Sequence, residues 1–182
     1  QVKANMEAKY GMDKPLSEQY FMYMKNLVHG DLGESMIFKG RGVSETIKTS
    51  FPASAKVGMC SVATSIVVGI SLGIVAALKR NTWADTTIVF VVTLGITIPS
   101  FVISAVLIYF LAVKFGLLPP TGFSGWKNYI MPVIALSMSS MAFITRLTRN
   151  KLLDVLKSDY IRTAKAKGLS KGKIVFKHAL RN

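Results

Sequence analysis

Three stretches of this chain carry no charge at all: 22 residues between Lys56 and Lys79, 28 between Asp85 and Lys114, and 18 between Lys127 and Arg146. Wound as α-helix they extend roughly 33, 42 and 27 Å, against a bilayer core of about 30 Å. In lipid every backbone polar group needs a partner within its own segment, so runs of this kind become helices. The pattern predicts an all-α, polytopic membrane protein with spans at about 54–78, 87–113 and 129–147, joined by short connections. Composition agrees: the chain is 51% hydrophobic and 18% charged, with a mean hydropathy of +0.40, where a soluble domain carries about 25% charged residues. A soluble enzyme, a disordered chain and a disulfide scaffold are excluded. The single cysteine, Cys60, reads as a small buried hydrophobe.

Charge orients the spans. Of the net +14, residues 146–182 hold +9, from eleven basic and two acidic residues. Basic residues beside spans collect on the cytoplasmic side. The tail, 147–182, is therefore expected inside, with 1–53 outside, 79–86 inside and 114–127 outside. Carrying the polar segment 1–53 across a membrane calls for a transmembrane helix upstream of Gln1. The tail stops at Asn182 within a basic amphipathic stretch. The chain thus reads as an internal piece of a longer permease-like protein.

Local signals fill in the rest. Helices are expected at 6–10 and 17–28, where Leu16, Tyr20, Tyr23, Met24 and Leu27 share a helical face and Pro15 suits a first turn. His29-Gly30-Asp31-Leu32-Gly33-Glu34-Ser35 is turn-rich. A short helix is expected at 43–49, with Pro52 marking the start of the first span. In that span Ser65, Gly69 and Gly73 form a stripe of small residues that lets another helix approach closely. Pro99 should kink the second span, and Pro132 sits in the third with Ser137, Ser139, Ser140 and Thr145. No Asp, Glu, Lys, Arg or His lies inside an apolar run, which argues against an ion-coupled carrier. Any energy for uphill transport would enter from outside the spans, through the tail.

The tail reads Asp159-Tyr160-Ile161-Arg162-Thr163-Ala164-Lys165-Ala166-Lys167-Gly168-Leu169-Ser170. A helix is expected over 160–167, capped by Ser158 or Asp159 and closed by a left-handed Gly168. Ser170 is positioned to cap a second helix through Leu180, with Val175/Ala179 and Phe176/Leu180 as its i, i+4 pairs. Thr163, Ala164 and Ala166 give the first helix a low-profile patch among basic residues.

This tail resembles the cytoplasmic coupling loop of ABC-importer permeases, whose general pattern is Glu-Ala-Ala-x-x-x-Gly. Counted back from Gly168, that pattern puts Arg162 at the Glu position and Thr163 and Ala164 at the two Ala positions, a departure at two of four marked sites. The form Tyr-Ile-Arg-Thr-Ala-Lys-Ala-Lys-Gly-Leu is similar to that of peptide and nickel permeases. Glu7-Ala8-Lys9-Tyr10-Gly11, the His29–Ser35 turn, and Arg146-Leu147-Thr148-Arg149 leading to Val155-Leu156 resemble the B-type permease of oligopeptide and dipeptide importers. The resemblance implies a type I permease fold, of which this chain would be spans two to four of six. It implies a permease subunit for peptides, not an enzyme and without a cofactor of its own, in the bacterial or archaeal cell membrane. No Gly-x-x-x-x-Gly-Lys-Ser/Thr phosphate loop occurs in the sequence.

The partners so implied are separate ATP-binding subunits, a second homologous permease and an extracellular peptide-binding protein. The ATPase-coupling residues would be Arg162, Thr163, Ala164, Ala166 and Gly168. A nickel or glutathione permease of the same family is the alternative within this class. From a different class, a membrane-anchored binder of anionic lipid or nucleic acid would use the +9 tail, but that tail has only Tyr160 and Phe176 to interleave with its bases.

Overall fold

A computed structural model of the chain describes residue 11 and residues 14–35, 37–38 and 40–179. The expected helix at 6–10 lies outside the described residues. The described chain is helical, with one isolated antiparallel bridge between Glu34 and Gly42. It falls into two compact units, 1–54 and 55–182.

In the first unit, α1 (Leu16–Val28) begins behind Pro15, whose carbonyl accepts from the N–H groups of Glu18 and Gln19. Its Leu16, Tyr20, Phe21, Tyr23 and Val28 are exposed. The turn that follows depends on two left-handed glycines, Gly30 at φ 79° and Gly33 at φ 77°, a conformation that costs other residues a Cβ clash. Asp31 Oδ1 accepts from Gly33 N–H at 2.9 Å. The turn is then tied back: Val43 N–H donates to Gly33 O, and Ser44 Oγ–H donates to Gly30 O at 2.7 Å. The His29–Ser35 stretch is thus a closed structural turn.

The helix expected at 43–49 does not stop there. One helix, α2 (Val43–Leu78), runs 36 residues with Pro52 inside it. Proline deletes one hydrogen bond in the ladder, and the long apolar run C-terminal to it keeps the helix going. Cys60, expected in the core, is exposed on this helix, because the buried stripe passes along another face.

That stripe organises the second unit. Val57, Ser61, Ser65, Gly69 and Gly73, four residues apart, are all buried. Three of them, Ser65, Gly69 and Gly73, meet α5 (Lys127–Val155). Ser65 Oγ–H is shared between Ser61 O at 2.8 Å and Ser137 O at 3.1 Å. A Cβ on Gly69 would meet Met141 O and Ile144, and one on Gly73 would meet Thr145 O and Thr148. Both sequences ascend together, so α2 and α5 run parallel, held at backbone distance by small residues.

The second apolar run is broken rather than kinked. α3 (Trp83–Thr97) and α4 (Ser100–Leu107, continued by a π-helix over Ile108–Lys114) meet at 106°. Ile98 and Pro99 leave the helical region, with ψ 124° and 141°. Proline disfavours the α conformation of the residue before it as well as removing its own donor. Each half is about 22 Å long, too short alone for a bilayer core of about 30 Å. The contacts with α5 nevertheless progress along its length. Asp85 meets Arg149, Gly95 packs on Met138, and Ser104 and Ile108 share a small cavity of about 190 Å³ with Met131 and Pro132. Both halves of the broken pair therefore meet α5, in reverse order along its sequence. α2 and α5 are each long and apolar enough to cross a membrane, and the bent pair makes a third such segment when its halves are taken as one span.

Candidate coupling site

The tail folds as a hairpin. α6 (Asp159–Ala166) follows α5 after a turn, and a single helical turn, α7 (Lys171–Lys173), then widens into a π-helix over Ile174–Ala179. The second element is thus not the regular α-helix expected. Val175 and Ala179 do share a buried face, while Phe176 is exposed and Leu180 lies outside the described residues. Ser158 sits at the N-cap but spends its hydroxyl on Val155 O at 2.6 Å, so it does not cap α6 by side chain. Ser170 Oγ lies 3.5 Å from Lys173 N, a long contact for a cap.

The C-terminal closure of α6 is as expected in kind. Gly168 has φ 75°. Its N–H donates to Lys165 O at 2.9 Å, and Leu169 N–H reaches back to Ala164 O at 3.3 Å. These two bonds are the Schellman pattern, and the accompanying contact between the residue after the glycine and the last turn is also present. Among the described residues a Cβ on Gly168 would meet nothing within 4 Å. The requirement for glycine there is conformational and not steric.

The five residues marked by the sequence separate into two faces. Ile161 and Ala164, three residues apart, point inward, 0% and 7% exposed. They pack with Ala77 of α2, Leu152 of α5, and Ile174 and Ala179 of the returning segment. Arg162, Thr163, Ala166 and Gly168 are exposed. Ala164, expected to lie on the face offered to a partner, is a seat and not a contact surface. The signal was in the sequence: Ile161, the one large aliphatic residue of the helix, has Ala164 three residues on, and helical spacing sets the two on one face. Around the outward face Lys157, Lys165, Lys167, Lys173 and Lys177 are exposed. Arg162 makes a surface ion pair with Asp159 at 3.6 Å, worth little in water.

Sequence reasoning missed one polar constellation. Asp85 and Arg149, 64 residues apart, form a bidentate pair: Arg149 Nε donates to Asp85 Oδ1 and Nη2 to Oδ2, both at 2.7 Å. Asp85 is 4% exposed. Its Oδ2 also accepts from Asn81 N–H at 3.1 Å, holding a non-glycine residue at φ 60°. Read singly, the two charges only marked the ends of spans. No local pattern announces a pair at that separation.

The sequence profile of the family described as "binding-protein-dependent transport system inner membrane component" matches residues 69–182. The chain is 43% identical to the oligopeptide transport system permease protein OppB of Salmonella typhimurium, over the whole chain and 60% of that relative. It is 41% identical to the dipeptide transport system permease protein DppB of Bacillus subtilis, over the whole chain and 59% of that protein. It is 38% identical to the glutathione transport system permease protein GsiC of Pectobacterium atrosepticum, over 94% of the chain and 56% of that protein. The chain spans about 60% of the length of the curated relatives it matches.

Proposed function

Because this chain belongs to the family of binding-protein-dependent transport system inner membrane components, we propose that it forms part of the translocation pathway for peptides in an ATP-driven importer. It is a multi-pass membrane protein. Its residues 1–53 lie outside and 147–182 in the cytoplasm. Separate ATP-binding subunits supply the energy, a second homologous permease completes the pathway, and an extracellular binding protein delivers the peptide. Oligopeptide and dipeptide permeases are more similar to the chain than the glutathione permease is, at 43% and 41% against 38% identity, which favours peptides as the cargo.

The observation that carries this reading is the seating of α6. Its inner face is locked by Ile161 and Ala164 into the ends of α2 and α5, while its outer face offers Thr163, Ala166 and Arg162. A surface of small residues ringed by bases admits a partner protein closely. A push on that surface reaches both long helices at once through Ala77 and Leu152. ATP-driven closure of two ATPases against such hairpins tilts the spans and switches the path between its two openings.

The test is Thr163→Trp in the full-length protein assembled with its partners. Thr163 is exposed, so the indole leaves the fold intact and obstructs docking. ATP-dependent peptide uptake is expected to be abolished at unchanged membrane abundance. Uptake at the wild-type rate would overturn the assignment.

A further inference from the structure

The Asp85–Arg149 pair lies outside the hairpin, at the end of α5 nearest to it. Three features set it apart. It is bidentate, with both bonds at 2.7 Å, which fixes orientation as well as distance. It joins α3 to α5 at one end of a contact that also includes, nearer the bend, the close approach of Gly95 to Met138. And the same carboxylate holds Asn81 in the turn between α2 and α3, so one side chain fastens three pieces of backbone.

Arg149 also stands three residues before Leu152, one helical turn away on the same side of α5. Leu152 is 3% exposed and packs with Ile161 and Ala164 of the hairpin. A continuous series of contacts therefore runs from α6 through Leu152 and Arg149 to Asp85, and from there along α3 to the break at Pro99. We propose that the Asp85–Arg149 pair is a positioning link that makes α3 and the broken span follow α5 when the hairpin is displaced. The inference rests on the reading of the chain as an ATP-coupled permease. Without the link, the hairpin still moves α5 but the discontinuous span lags behind, and ATP is spent without passage of substrate.

The experiment uses the full-length permease assembled with its ATPases and partner permease in proteoliposomes. It reads peptide uptake per assembled complex and ATP hydrolysed per peptide imported. For Asp85→Asn, uptake per complex is expected to fall by about tenfold, the scale at which residues joining two sites modulate coupling, and ATP consumed per peptide to rise. Arg149→Lys keeps the charge but loses the planar fork, and an intermediate loss with the same sign in the ratio is expected. A merely static clamp would lower the number of assembled complexes while each transports at the wild-type rate and ratio, and that result overturns the proposal. Should Asp85→Asn not assemble, the ratio for Arg149→Lys decides by the same criterion. If the wild-type complex itself shows no ATP-dependent peptide uptake, it is the permease reading that fails.

Discussion

Among the described glycines Gly73 has the tightest surroundings, so Gly73→Ala should be a damaging single-methyl change. A Cβ at this position would stand 2.6 Å from Thr148 Cβ and 2.8 Å from Thr145 O, one of them backbone, where an ordinary contact begins at 3.4 Å. Relief needs about 0.8 Å of separation between α2 and α5, across the contact that also holds the Ser65–Ser137 hydrogen bond. Overpacking of this kind costs about 1–3 kcal/mol. Against it stands the gain in helix propensity from glycine to alanine, about 1 kcal/mol. Gly58→Ala isolates that gain, since among the described residues a Cβ there meets nothing within 4 Å. The assay is denaturant or thermal unfolding of the full-length protein in detergent. Gly58→Ala should match or exceed the wild type, and Gly73→Ala should fall below Gly58→Ala by about 1–3 kcal/mol. Adding Thr148→Gly removes the Thr148 clash but leaves Thr145 O, so part of the loss should return. Equal stabilities for Gly73→Ala and Gly58→Ala would refute the close parallel packing of α2 on α5.

Gly168→Val should lose about 1–2 kcal/mol at the hairpin turn, because a β-branched residue resists the left-handed conformation; increased protease cleavage near 168 in membranes would report it. Ala164→Trp should reduce hairpin order and membrane abundance, in contrast to Thr163→Trp, because Ala164 is 7% exposed; equal abundance of the two variants would count against the inward seat. Ser65→Ala should cost about 0.6 kcal/mol, the usual worth of a hydrogen bond between membrane helices, measured by the same unfolding assay. A cysteine at position 163 should resist an impermeant reagent added outside intact cells, and labelling from outside would reverse the assigned topology.

Much of this architecture was legible because lipid imposes simple rules. Charge-free runs located the long apolar helices, small residues at four-residue spacing located the face on which α2 is approached closely, and Gly168 located the end of α6. Each of these is a local signal with one physical cause. Other features depended on what lay elsewhere. Pro52 and Pro99 look alike in sequence, yet α2 passes through Pro52 while the chain breaks at Pro99. A lost hydrogen bond is tolerated or amplified according to how the flanking segments pack. The register of α6 was readable from Ile161 and Ala164, but Ala164 is as small as Ala166, and size alone does not separate the inward from the outward position. Asp85–Arg149 was hidden by its separation: buried ion pairs are fixed by tertiary geometry, and each member alone resembles a topological charge.

In the proposed function, the outward face of α6 docks a separate ATPase. Cysteines introduced singly at Ile161, Thr163 and Ala166 of the full-length protein, with Cys60 removed, test it by cross-linking in the assembled complex. Thr163→Cys and Ala166→Cys should form adducts with the ATP-binding subunit, in yields that change when ATP is added, while Ile161→Cys, buried at 0% exposure, should form none. Adducts from position 161 equal to those from 163 and 166, or no adduct to an ATP-binding subunit from either exposed position, would contradict the account.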